Sequence, residues 1–174
     1  MRTVLALIVA VLALAGCASM SESECKTADW YRKGLADGTA GRSDDTLARH
    51  HEACAKVGVA PNVAQWRRGW EEGLRSFCVP AVGWREGLAG HGYSGACRGP
   101  AEDGFLRAWR TASDLHRTEA QIATNTRETE RLEKQLADSQ NADERRNLRD
   151  RIRGLDVDQA QLRQRAAVLR QYAP

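Results

Sequence analysis

The feature that most constrains this chain is a glycine pattern locked to tryptophan. Trp30-Tyr31-Arg32-Lys33-Gly34-Leu35-Ala36-Asp37-Gly38, with Gly41 following, is echoed by Trp66-Arg67-Arg68-Gly69-Trp70-Glu71-Glu72-Gly73. Trp84-Arg85-Glu86-Gly87-Leu88 is a third, partial copy that lacks the acid. The shared element is an aromatic residue, Arg, any residue, Gly, two residues, an acid and Gly. The copies are unevenly spaced, which excludes a regular solenoid. Glycine within a helix costs about 0.5–1 kcal/mol relative to alanine. Glycines at spacing four therefore imply a compensating close approach of helices, with tryptophans over the notches. The other use of such a pattern is a shared surface where backbone, Arg and acid meet a ligand. On that reading the surface comprises Trp30, Arg32, Asp37, Trp66, Arg67, Glu72 and Trp84. The interleaved charges exclude a transmembrane dimer face.

Around these motifs the spacing predicts four short helices. One runs from about residue 24 to 36; a second, capped by Ser43, ends at Gly58. A third follows Pro61-Asn62, with Val63, Trp66, Trp70, Leu74 and Phe77 at helical spacing. A fourth spans about 80–90, and the glycine-rich stretch 91–100 reads as a loop.

The N-terminus reads as an address. Arg2 precedes an apolar run from Val4 to Ala15, too short to span a bilayer comfortably. Leu14-Ala15-Gly16-Cys17 resembles the lipobox of bacterial lipoproteins, although Ala13-Leu14-Ala15 also fits ordinary signal cleavage. The lipobox implies removal of 1–16, lipid on the Cys17 thiol (palmitate among its acyl chains) and a lipidated tether over 17–22. Ala18, rather than aspartate, follows the cysteine. By resemblance to Gram-negative lipoproteins, this implies the outer membrane, facing the periplasm.

Setting Cys17 aside leaves Cys25, Cys54, Cys78 and Cys97, an even set that reads as two disulfides in an oxidising compartment. Three pairings are possible; in Cys25–Cys54 with Cys78–Cys97, each bridge closes a local loop around one glycine motif. His50, His51 and Cys54 could suggest metal, but long gaps between cysteines and no C-x-x-C argue against zinc, so no metal or cofactor is expected.

The acidic start near Cys25, the W-x-x-x-G-x-x-D-G-x-x-G stretch at Trp30–Gly41, H-x-x-x-C at His50–Cys54 and the later G-x-x-x-G with Cys78 and Cys97 look like the domain-of-unknown-function 2799 family of bacterial lipoproteins. The resemblance covers about residues 22–98. It implies a label and a location without an activity.

Catalytic motifs are missing from the sequence: no G-x-S-x-G, H-E-x-x-H or P-loop occurs. Asp37 and Glu72 would form a carboxylate pair if the repeats stacked. The plainer expectation is that each acid pairs with Arg32 or Arg67, or faces solvent. His91, between Gly90 and Gly92, is a candidate loop histidine whose commonest role is a solvated surface group.

From Ala101 glycine nearly vanishes. Phe105, Leu106 and Trp109 are expected to dock the start of this segment on the preceding half. Leu115, Ile122, Thr129 and Leu136 recur every seven residues, with Leu132 between them. Asp138–Asn141 signals a turn, with Asn141 and Glu144 resembling a capping box. Leu148, Ile152, Leu155, Gln159, Leu162, Ala166 and Leu169 then alternate by four and three. A fold-back near residue 140 would bring Leu132 to Leu148, Thr129 to Ile152 and Leu115 to Ala166. Asn125, Thr118 and Gln159 make that seam weak, leaving room for a second copy or a partner.

The expected fold is all-α: a small disulfide-stapled, glycine-rich helical domain over 23–100, then a long antiparallel, coiled-coil-like hairpin over 101–174. Residues 18–100 hold 11 Lys/Arg and 10 Asp/Glu, and residues 101–174 hold 14 and 13. Neither half therefore has the basic excess of a nucleic-acid binder. The expected function is a non-enzymatic, membrane-anchored envelope module presenting helices to a protein or cell-wall partner, or to a second copy through 101–174. The alternative is an envelope hydrolase or small-ligand binder using the glycine–tryptophan region as a pocket.

Overall fold

A computed structural model describes residues 19–174. The expected signal segment 1–16 and the expected lipidation position Cys17 lie outside the described residues. The described chain is all-helical: α1 (Glu22–Lys26), α2 (Trp30–Thr39), α3 (Asp45–Ala55), α4 (Val63–Phe77), α5 (Pro80–Leu88), α6 (Pro100–Asp138) and α7 (Ala142–Arg170). None of these helices is long and apolar enough to cross a membrane. The chain divides into two compact units. One is built from the residues up to Phe77 with Tyr93–Cys97, the other from Cys78–Gly92 with Arg98–Pro174.

In the first unit, the single helix expected over 24–36 is two. Ser21 and Glu24 form a reciprocal capping box that starts α1, and the Asp29 side chain accepts from the Arg32 N–H to start α2 afresh. Asn62 caps α4 in the same way through the Gln65 N–H. The expected Ser43 cap is replaced by a turn: the Thr46 N–H donates to the Ser43 carbonyl, and α3 begins at Asp45.

Helices α2 and α4 meet backbone to backbone through reciprocal glycines. A Cβ at Gly34 would stand 1.9 Å from the Trp66 carbonyl oxygen, and one at Gly69 would stand 2.0 Å from that of Tyr31. Gly38 and Gly73 repeat the relationship one turn on, against Trp70 and Leu35. The expected close approach is therefore the observed one. Missing side chains bring two backbones into van der Waals contact, which offsets their poor helix propensity. Trp66 and Trp70 stack beside the crossing with centroids 5.7 Å apart. Gly41, at φ +65°, receives the Phe77 ring where any Cβ would collide with it. The Cys25–Cys54 disulfide ties α1 to α3, and Cys78 and Cys97 are disulfide-bonded as well.

The second unit uses the device once more. Gly83 and Gly87 of α5 lie against the carbonyls of Phe105 and Trp109 in α6. The Trp109 indole donates to the His91 carbonyl, 2.9 Å away. Pro100 opens α6, so the expected loop ends one residue earlier than read. Asn141 caps α7 by accepting from the Asp143 and Glu144 N–H groups. Glu144 does not complete the box; it takes the Ser139 hydroxyl at 2.5 Å instead. Leu115, Leu132, Leu148 and Ala166 are all buried, while Ile122, Leu136, Ile152, Leu155, Leu162 and Leu169 are only partly covered.

Candidate functional site

A buried polar cluster in the first unit is centred on Asp37. Glycine spacing places Asp37 on α2 between Gly34 and Gly38, on the face that meets α4. Its side chain therefore points into the helix crossing, where it is 1% exposed. Three donors meet it. The Trp66 indole N–H donates to Oδ2 at 2.9 Å, His50 Nε2 lies 2.8 Å from the same oxygen, and Arg42 donates to Oδ1 at 2.9 Å. A buried carboxylate is costly unless paired and hydrogen-bonded; here both oxygens are engaged. Burial pushes Asp37 upward, but the hydrogen bonds from His50 and Trp66 outweigh it and hold the carboxyl below its ordinary value.

An ionised Asp37 fixes the histidine. Nε2 carries a proton and donates to the carboxylate, which leaves Nδ1 for a second partner. Ser19 Oγ is that partner, hydrogen-bonded to Nδ1 at 2.8 Å. His50 is fully buried and Ser19 partly so. The next residue, Met20, is also buried, whereas Ser21 and Glu22, the last residues of the expected tether, are exposed. The network extends to the connection after α2. The Trp70 indole donates to the Arg42 carbonyl at 2.8 Å, and the Ser94 hydroxyl to the Gly41 carbonyl at 2.6 Å.

The seven residues expected to share a surface have different surroundings. Trp30, Asp37 and Trp66 are buried. Arg32 is exposed and pairs with Asp29 rather than Asp37. Glu72 accepts from the Tyr31 hydroxyl at 2.6 Å, which raises the Tyr31 pKa. Asp37 thus pairs with neither Glu72 nor the repeat arginines; its cation is Arg42, which lies outside the repeat. Arg67 lines an open groove of about 430 Å³ with Asp44, Asp45, His51, Pro61 and Val63, apart from the Asp37 cluster. Trp84 belongs to the other unit, partly buried on α5. His91, also in that unit, bonds Glu86 at 2.8 Å, and this bond is the main influence lowering the Glu86 pKa.

The partnership of His50 with Asp37 is the feature sequence reasoning missed. Both residues stand in the patterns that carried the family resemblance, D-G after the glycine repeat and H-x-x-x-C. A polar residue on the glycine-notched face of a helix was the available signal that it needed a buried partner. His51 faces solvent, Cys54 is consumed by its disulfide, and no three potential ligands converge as a metal site among the described residues.

Residues 29–114 match the model of the family described as protein of unknown function (DUF2799). The match extends beyond the expected end near residue 98, into the part of α6 that packs on Gly83 and Gly87. Phe105 and Trp109 therefore fall within the matched segment, whereas α1 with Cys25, the remainder of α6 and α7 lie outside it. No curated protein and no solved structure matches the chain.

Proposed function

We propose that this protein is a member of the DUF2799 family and a lipid-anchored module of the bacterial cell envelope. It is exported by the segment 1–16, held on the outer membrane through Cys17, and works by presenting helices to a partner rather than by catalysis. The observation that carries the reading is the engagement of the Asp37 cluster. The side chains best suited to chemistry are buried, and each is used to hold one helix to another. The four oxidised cysteines support an oxidising compartment.

The presenting element is an antiparallel, coiled-coil-like hairpin formed by α6 and α7. Pairs in which one number rises as the other falls support it: Leu136 with Arg145, Glu128 with Arg151, Thr126 with Gln159 and Glu119 with Arg170. Its seam is half covered, and Val157 and Val168 are exposed on α7, so a protein, the cell wall or a second copy has apolar surface to engage.

One observation favours a hydrolase: the hydrogen-bonded order Ser19–His50–Asp37. Three features weigh against it. The ring nitrogens are exchanged relative to a Ser-His-Asp triad, His50 has no exposure, and Asp37 is committed to two further donors.

The test is photocrosslinking in cells from residues substituted at Val157 and Val168, paired with deletion of 115–174. Discrete adducts at these positions, and loss of the protein's cellular effect on deletion, are expected. A deletion that retains the full effect, with no adducts, overturns partner capture by the hairpin.

A further inference from the structure

The Ser19–His50 hydrogen bond has a geometric consequence that rests on the lipid-anchor reading. Ser19 is two residues from Cys17. A chain spans at most about 3.3–3.6 Å per residue, so Ser19 can lie no more than about 7 Å from the anchored cysteine. The polar layer on each side of a bilayer is of similar depth, roughly 5–8 Å. Ser19 is fixed to His50, Met20 is buried, and Ser21 caps α1, itself tied to α3 by Cys25–Cys54.

We infer that the first unit has no tether: its edge at Ser19 and the start of α1 rests directly on lipid headgroups, with Ser19–His50 as the latch that removes the slack. The partner is a phospholipid headgroup surface. The covalent anchor imposes the contact. Charge does not attract it, because the exposed side chains that begin α1 are Ser21, Glu22, Ser23 and Glu24, none of them basic. The latch is therefore a positioning device that fixes how the unit stands on the membrane.

The test uses the full-length mature protein in phosphatidylcholine–phosphatidylethanolamine vesicles doped with a headgroup-photoreactive phosphatidylcholine. Lipid adducts are mapped by peptide mass spectrometry. Adducts are expected to concentrate in the peptide covering 19–26, to be at least several-fold rarer over 142–170, and to persist in high salt. A flexible glycine–serine insertion between Ala18 and Ser19 leaves the latch intact and is expected to reduce the 19–26 adducts several-fold. Ser19→Ala is expected to reduce them less. If a lipidated, vesicle-bound protein gives adducts spread evenly along the chain, or unchanged by the insertion, the inference is wrong although the anchor stands. If the mature protein carries no acyl chains and does not float with vesicles, the anchor reading fails first.

Discussion

His50 Nε2 stands 2.8 Å from Asp37 Oδ2, and neither side chain reaches solvent, at 0% and 1% exposure. One hydrogen bond thus joins α2 to α3, while Trp66 brings α4 to the same carboxylate. Asp37→Ala removes the shared acceptor and strands two buried donors. Breaking a buried pair from one side typically costs about 3–5 kcal/mol. Urea unfolding should show a loss of this size; Asp37→Asn should lose less because one acceptor oxygen remains.

Acid should act through the same residue. The folded pKa of Asp37 lies below its ordinary value of 3.8. The ionised group therefore contributes stability that is complete above the ordinary value and is lost as pH falls through the depressed one. The urea midpoint of the wild type should fall over that acidic range more than that of Asp37→Asn. Equal slopes for the two proteins would contradict the assignment.

Two glycines, one at the helix crossing and one away from it, carry opposite predictions. Gly34→Ala forces a Cβ onto the Trp66 carbonyl oxygen, and backbone cannot swing aside as a flexible side chain does. Overpacking of this sort costs about 1–3 kcal/mol or more. Gly154 in α7 has nothing within 4 Å of an added Cβ, and Gly154→Ala should stabilise by about 0.5–1 kcal/mol. Thermal melts of the two variants should move in opposite directions.

Much of this architecture was legible in the sequence, for identifiable reasons. Glycine at spacing four has few uses in a charged helix, so the α2–α4 approach followed from Gly34, Gly38, Gly69 and Gly73. The helical spacing of Val63, Trp66, Trp70, Leu74 and Phe77 placed those residues on one helix, and α4 holds all five. The fate of Asp37 was not legible, because its cation, Arg42, lies beyond the repeat and its main partner, His50, is on another helix. Periodicity reports which face a residue occupies and says nothing of which polar group it meets there. The split of the first helix at Asp29 was missed because local capping chemistry overrode a continuous helical pattern.

Thr129 offers a test within the second unit. Its hydroxyl is buried without a partner, unlike Thr126, which reaches the Ile122 carbonyl and Gln159. Thr129→Val removes an unsatisfied group of a kind that costs about 1–3 kcal/mol. A rise in melting temperature is expected; a fall would show that the hydroxyl has a partner.

The Cys25–Cys54 bridge closes a loop with a sequence separation of 29. On the chain-entropy account such a loop stabilises by about 3–4 kcal/mol. The paired substitution Cys25→Ala with Cys54→Ala should remove that much in urea unfolding, and should also loosen α1, which carries the capping Ser21.

The intact mass of the protein extracted from membranes tests the central claim most directly. The account predicts a chain beginning at Cys17, carrying a diacylglyceryl group and an N-linked acyl chain, with Cys25, Cys54, Cys78 and Cys97 all oxidised. A mature chain without acyl groups, or one with free thiols among those four, would contradict it.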